Sequence, residues 1–198
     1  MNSVVIIASN NKGKIFEMKE KLKKFNIEVL SQKEAGVNIE IEETGTTFEE
    51  NAVLKAEAIF KLTNKPVIAD DSGLEIDALN GEPGVYSHRY AGDNATDEDR
   101  MNKVLNLIKD VPEKERTARF RCVLCYIDNE ENKHIFEGIS EGKIGFEPKG
   151  NNGFGYDPIF VYDNNRTFAE MTNEEKNQVS HRGRAVSKFI DYISSKNI

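Results

Sequence analysis

The sequence predicts an α/β domain with a mixed sheet, and three observations point there. Short apolar runs such as Val4 to Ile7 and Val67 to Ala69 have the length and continuity of strands covered on both faces. Segments with apolar residues at helical spacing alternate with them. Further on, two strand-forming runs flank a polar turn, which adds antiparallel pairing to an alternating β/α order. At 198 residues, and roughly 150 residues per domain, one compact domain over 1–198 is expected, with room for two lobes.

Each element has its own signal. Val4 to Ile7 gives a first strand, polar Ser9 to Lys14 a turn, and Ile15, Met18, Leu22 and Phe25 a helical face. Ile27 to Leu30 is a second strand. Thr47 followed by Glu50 has the form of a capping box, opening a helix along Ala52, Ala56, Ile59 and Leu62 that stops before Pro66. Val67 to Ala69 is a third strand, expected to deliver Asp70-Asp71-Ser72-Gly73 at its carboxyl end. Thr96 opens a helix with Val104, Leu105 and Ile108 on one side. Thr117 to Ile127 and Lys133 to Ser140 flank Asp128 to Asn132 as a hairpin. A glycine-rich loop, 150–157, precedes a short strand from Ile159. A second capping box, Thr172 to Glu175, leads to a last helix with Ala185, Val186, Phe189, Ile190 and Ile193.

Lys plus Arg number 27 and Asp plus Glu 34, for a net charge of -7. That surplus works against binding a nucleic-acid polymer through its phosphates. It is unevenly spread: residues 1–26 carry net +4 and residues 176–198 net +4, while residues 40–50 carry net -5. A small polyanion held with a cation therefore stays compatible with the composition. No apolar run reaches the ~20 residues of a membrane span, and no basic segment precedes the first apolar run, so a cytoplasmic, soluble protein is expected. Cys122 and Cys125 lie in a strand-forming run without further zinc ligands, so ordinary reduced thiols are expected. Without a secretory signal, the acceptor-like Asn94-Ala95-Thr96 and Asn165-Arg166-Thr167 carry no weight.

Three groups of residues have the makings of a site. Ser9-Asn10-Asn11-Lys12-Gly13-Lys14 joins a strand to a helix start, where backbone N–H groups and the helix dipole attract anions. It lacks the first glycine of a Walker A loop, and the bland alternative is a solvated turn. Glu42-Glu43 and Asp70-Asp71 offer hard carboxylates from two segments, enough for Mg²⁺ bound to phosphates. One aspartate of the adjacent pair is expected to cap backbone N–H groups, and Glu42-Glu43 alone is compatible with a solvated turn. Lys55, two turns into its helix, is within reach of a phosphate. Phe154-Gly155-Tyr156-Asp157, with Lys176, His181 and Arg182, combines a stacking surface with groups that read a base edge. A base bearing a 6-oxo group presents an acceptor that suits Lys and Arg donors, which disfavour the 6-amino group of adenine. Taken singly, Phe154 is also a core anchor and His181 a capping or surface histidine.

Gly138-Ile139-Ser140-Glu141-Gly142 matches the G-x-S-x-G nucleophile elbow, with Asp157 and His181 following in hydrolase order. The elbow needs a helix after its serine. Gly142 and Gly145 make that a poor helix start, so this match is taken as a decoy.

Taken in order, Ala8 to Lys14, Glu42 to Ala52, Ala69 to Leu74, Gly153 to Pro158 and Ser180 to Gly183 resemble the inosine triphosphate pyrophosphatase family nearly end to end. The resemblance implies an elongated α/β fold with a central mixed twisted sheet flanked by helices, an active-site cleft between two lobes, and a homodimer. It implies that Ser9, Asn11 and Lys14, within the substrate-binding stretch Ser9, Asn10, Asn11, Lys12, Gly13 and Lys14, hold the triphosphate, supported by Lys55 and Ser72. Glu42 or Glu43 with Asp71 would place Mg²⁺, and Asp71 would be the proton acceptor. Phe154, in the loop with Gly155 and Tyr156, would stack on the purine, while Asp157, Lys176, His181 and Arg182 surround its edge. The implied reaction is hydrolysis of ITP, dITP or XTP to monophosphate and pyrophosphate. Two alternatives are a Maf-like nucleotide pyrophosphatase of other base preference and a non-catalytic nucleotide sensor. The base-end motifs count against the first and the paired acids against the second.

Overall fold

The structure, a computed structural model, describes residues 3–163 and 165–196. In chain order it runs β1 (Ser3–Ile7), α1 (Lys12–Lys23), β2 (Ile27–Ser31), α2 (Phe48–Thr63), β3 (Val67–Ile76) and α3 (Asp97–Leu107). There follow β4 (Thr117–Ile127), β5 (Lys133–Ile144), β6 (Phe160–Asp163), β7 (Arg166–Thr167), α4 (Asn173–Val179) and α5 (His181–Ser195). The strands form one sheet in the order β2-β1-β3-β4-β5-β6-β7. β1 is parallel to β2 and β3, whereas β5–β6 and β6–β7 are antiparallel, so the sheet is mixed as expected.

The chain divides into two compact units, each drawn from separate stretches. The first comprises residues 1–71, 122–138 and 182–198, the second residues 72–121 and 139–181. Each has its own apolar core. In the first unit, Val5, Ile7, Ile68, Leu124 and Tyr126 of the strands pack with Met18 and Leu22 of α1 and with Val186, Phe189 and Ile193 of α5. Strand residues alternate between faces. Ile6, Val67, Ala69, Val123 and Cys125 thus belong to the opposite face and are also buried, as are Ala52, Ala56 and Ile59 of α2. In the second unit Leu74, Ile76, Val104, Phe120, Ile144, Ile159, Phe160 and Phe168 form the core.

Four expectations change. β3 does not stop at Ala69 but continues through the aspartates to Ile76, because Leu74 and Ile76 supply further buried strand positions. Phe25 lies beyond the end of α1 and is 48% exposed, since the chain turns at Asn26 with φ +57° instead of continuing the helix. Leu62, in the last turn of α2, is 60% exposed while Ile59 and Phe60 are buried. The second capping box opens only the short α4. Ser180 is extended, with φ -69° and ψ 154°, and the long C-terminal helix is a separate element, α5.

Candidate active site

The turn after β1 is shaped by its own polar side chains. Asn11 caps α1, its side-chain oxygen accepting from Lys14 N at 3.1 Å, and Ser9 Oγ accepts from Asn11 N at 3.1 Å. Thus Ser9 and Asn11 build the turn. The first turns of α2, α3 and α4 carry acids, as the positive end of a helix dipole favours, but that of α1 carries Lys12 and Lys14 and no acid. Positive side chains at a positive helix end are a destabilising arrangement that a bound anion relieves. Asn10 and Lys12 are exposed, and Gly13 and Lys14 are partly buried.

Asp70 and Asp71, adjacent on a strand, point to opposite faces of the sheet. Asp70 meets α1 and α5: its Oδ2 is 3.2 Å from Lys14 Nζ and 3.2 Å from Arg182 Nε, with Cys122 Sγ at 3.8 Å. Arg182 also pairs with Glu17. Burial pushes the Asp70 carboxyl up, but Lys14, Arg182 and Lys55 outweigh it and hold the group well below the usual carboxylate range. Asp70 is thus an ion-pair hub within the first unit.

Asp71 meets α2 instead. Lys55 Nζ lies 3.2 Å from its Oδ1, and Asn51 Nδ2 donates to its Oδ2 at 3.1 Å. The Lys55 ammonium is shared with Glu43 Oε1 at 2.5 Å. Burial raises the Asp71 carboxyl; Lys55 and Lys14 oppose that, Glu43 reinforces it, and the net displacement is upward. Lys55 feels the reverse: burial lowers its pKa, but Asp71, Glu43 and Asp70 raise it further. Asp71 also lies past the end of β1, which stops at Ile7 opposite Ile68. The acids therefore stand outside the carboxyl end of the neighbouring parallel strand, where α/β sheets bind ligands.

This donor set fits Mg²⁺. Two carboxylates from different segments converge on one cation, the Lys55 ammonium, so the position already selects positive charge. Among the described residues no three His, Cys, Asp or Glu side chains form a metal cage. Water and phosphate oxygens would complete the shell, the usual arrangement for Mg²⁺ on nucleotides. Glu43 is the member of the acidic pair that shares Lys55 with Asp71, whereas Glu42 is exposed. Ser72 is partly buried on β3.

The second unit assembles the other group. Asp157 Oδ2 accepts from Phe154 N at 2.8 Å and pairs with Lys176 Nζ at 2.8 Å, and that ammonium lies 4.8 Å from the centroid of the Phe154 ring. A Cβ on Gly153, at φ +75°, would fall 2.1 Å from Asp157 Oδ2, so the loop needs glycine there. Gly155 N donates to Asp97 Oδ2 at 2.8 Å, and Tyr156 OH donates to the Ser87 carbonyl at 2.8 Å. His181 is buried with its ring stacked on Phe120, centroids 4.7 Å apart. Phe154, Asp157 and Lys176 are thus brought together. Arg182, expected at the base edge, is found with Asp70 and Glu17.

A family model described as the Ham1 family matches residues 5–192. The chain belongs to the Ham1 family. Among its Ham1-family relatives, the protein of Bacillus subtilis (strain 168) named dITP/XTP pyrophosphatase is 54% identical over 186 residues, 93% of each chain. The one of the same name from Clostridium perfringens (strain 13 / Type A) is 50% identical over 195 residues, covering 95% of this chain and 96% of its own. The solved structure of the Staphylococcus aureus Ham1 protein has a TM-score of 0.87 at 43% identity, covering 98% of this chain and 100% of that one. A Mycobacterium abscessus structure, titled nucleoside-triphosphatase / dITP/XTP pyrophosphatase, has a TM-score of 0.75 at 40% identity, with 94% and 98% covered.

Within this Ham1-family chain the serine-elbow match is excluded structurally. Ser140 lies inside β5, is buried, and donates from Oγ to the Val179 carbonyl at 2.6 Å. Both cysteines are free and buried, and burial pushes the Cys125 thiol up to about 12. Among the described residues no helix is long and apolar enough to cross a membrane. Sequence reading missed Asn51, Asp97 and Glu17 as site-building residues. Asn51 carried a signal: a polar side chain four residues before Lys55, hence on the same helix face.

Proposed function

We propose that this protein hydrolyses deaminated purine nucleoside triphosphates, dITP, XTP and ITP, to the monophosphate and pyrophosphate, with Mg²⁺ as cofactor and as a cytoplasmic homodimer. The observation that carries the reading is Asp71, a buried carboxyl with a raised pKa, sharing Lys55 with a second carboxylate, Glu43. The names of the close relatives support it.

In this reading the α1 start, with Ser9, Asn10, Asn11, Lys12, Gly13 and Lys14, takes the triphosphate, aided by Ser72 and Lys55. Glu43 and Asp71 are the residues that would hold Mg²⁺, which supplies charge neutralisation at the phosphates. Asp71 accepts the proton of a water whose oxygen attacks the α-phosphorus. A P–O bond to that oxygen forms, the bridging bond to the β-phosphate breaks, and pyrophosphate leaves with the bonding pair. A carboxyl shifted upward is a better base than an ordinary one, provided it stays ionised at neutral pH. Lys14 and Lys55 offset the charge that develops on the phosphates. Phe154 stacks on the base, and Lys176, oriented by Asp157, donates to a 6-oxo acceptor that adenine lacks.

The test is a product assay with purified protein and Mg²⁺ on dITP, XTP, ITP, dATP and dGTP. Pyrophosphate with matching monophosphate from the deaminated nucleotides, far faster than from dATP, is the expected outcome. Equal rates on dATP would overturn the base assignment, and orthophosphate as the first product would overturn the bond assignment.

A further inference from the structure

Asn51 is fully buried in the first turns of α2, where an apolar residue would serve packing as well as Ala52 and Ala56 do. Its amide is instead engaged at both ends. Oδ1 accepts from Gly45 N at 2.8 Å, and Nδ2 donates to Asp71 Oδ2 at 3.1 Å. A backbone N–H only donates and an ionised carboxylate only accepts, so the orientation of the amide is dictated by its two partners. Gly45 lies two residues after Glu43. A Cβ on Gly45 would fall 2.6 Å from Asn51 Oδ1 and 2.7 Å from Glu50 Cβ, so the backbone of the acidic loop rests directly on the start of α2. One helical turn on, Lys55 ties the same two segments together through charge, meeting Glu43 of the loop and Asp71 of β3.

We propose that Asn51 is a positioning residue that sets the spacing of Glu43 and Asp71, by pinning the Glu43 loop and the Asp71 carboxylate to one amide. The inference rests on the metal-dependent reading above. The residue type follows from charge. Lys55 already balances one of the two carboxylates. An Asp at 51 would repel Asp71 and a second Lys would cancel the net negative charge that attracts a divalent ion, whereas a neutral amide orients both segments and leaves that charge intact. The amide also directs Asp71: with Oδ2 taking the Asn51 hydrogen and Oδ1 facing Lys55, the carboxylate is held at both oxygens.

Positioning of metal ligands is read by metal affinity, which stability alone does not move. Mn²⁺ binding to the full-length protein is followed by loss of the free-ion electron paramagnetic resonance signal. Alongside it run steady-state kinetics on dITP at saturating Mg²⁺ and thermal unfolding. Substitution of a residue that orients a ligand typically costs 10–100-fold in metal affinity or activity, so Asn51→Ala is expected to weaken Mn²⁺ binding about tenfold or more. With that, kcat should fall while KM for dITP stays within about twofold, the pattern of a group that acts on the transition state and not on nucleotide binding. Gly45→Ala, which lifts the loop off Asn51 and leaves Asp71 untouched, should weaken Mn²⁺ likewise. The double variant should fall short of the sum of the two single losses, because the contact between Asn51 and the Gly45 amide is lost in both. A folded Asn51→Ala protein with wild-type Mn²⁺ affinity overturns the inference, as does a rise in KM that accounts for its whole kinetic loss. If Asn51→Ala does not fold, Gly45→Ala decides, and unchanged Mn²⁺ binding there overturns it. Failure of the wild-type protein to release pyrophosphate from dITP would instead sink the functional reading, which separates the two.

Discussion

Asp70 and Asp71 are the same residue type, one position apart, and their surroundings push them in opposite directions. Lys14 and Arg182 hold Asp70 ionised as a structural hub, while burial beside Glu43 raises Asp71. Asp71→Asn keeps the shape and the hydrogen-bonding reach but removes the proposed proton acceptor. Since general-base catalysis contributes about 10²–10⁴-fold, kcat for pyrophosphate release should drop on that scale while nucleotide binding persists. Single-turnover kinetics with a parallel binding titration would check this, and turnover within twofold of wild type would refute the role. In the second unit, Phe154 carries the Lys176 ammonium over its ring. Base–aromatic stacking is worth about 1–3 kcal/mol, so Phe154→Ala should raise KM roughly tenfold with a smaller change in kcat. Equal KM values for the two proteins would show that the ring packs in the unit without touching the base.

Helix starts decide how these side chains are presented. In α2 the Thr47 hydroxyl accepts from Glu50 N at 3.1 Å and the Glu50 carboxylate accepts from Thr47 N at 3.2 Å, a complete capping box. That box fixes the register from which Asn51 and Lys55 project. Loss of a cap costs about 1 kcal/mol, which for a chain of this size is a fall in Tm of about 2–4 °C. Thr47→Ala should show that shift in a calorimetric scan, and an unchanged Tm would mean water replaces the cap at no cost. The capping boxes at Thr47 and Thr172 were legible in the sequence because their hydrogen bonds are local. The run of β3 past the aspartates was not, since two acids in the middle of a strand become tolerable only where lysines and an arginine from other elements meet them. Nor was the break at Ser180, which separates α4 from α5 without a proline or glycine to announce it.

For the whole molecule, the distribution of charge matters more than its sum of -7. Ion pairs hold several carboxyls below their ordinary range. Asp97 is one of these: burial alone would raise it, but the Arg100 pair and the Gly155 N–H lower it below its ordinary value. A depressed folded pKa means stability that is fully present above the unfolded value of about 4 and lost as pH falls through the folded pKa. Asp97→Asn should therefore lie below wild type in Tm at pH 7, and the gap should close on acidification below about pH 4. A gap that is constant with pH would place the effect of the substitution in packing. Since Asp97 also holds the Gly155 amide, Asp97→Ala, which removes both oxygens, should in addition loosen the loop that presents Phe154 and Asp157.

The mixed α/β class, the helices opened at Thr47 and Thr96, the decoy status of Ser140 and the chemical types gathered in the motifs are legible in the chain alone. Those follow from periodicity, local capping and turn chemistry, all of which act within a few residues. Long-range contacts in the folded chain settle which aspartate meets which helix, that Glu43 shares Lys55 with Asp71, that Arg182 joins Asp70, and that Asn51 ties the acidic loop to Asp71. These depend on strand alternation and on contacts between distant segments. A one-residue step along β3 reverses the face that a side chain occupies, and neither composition nor spacing records what waits on each side.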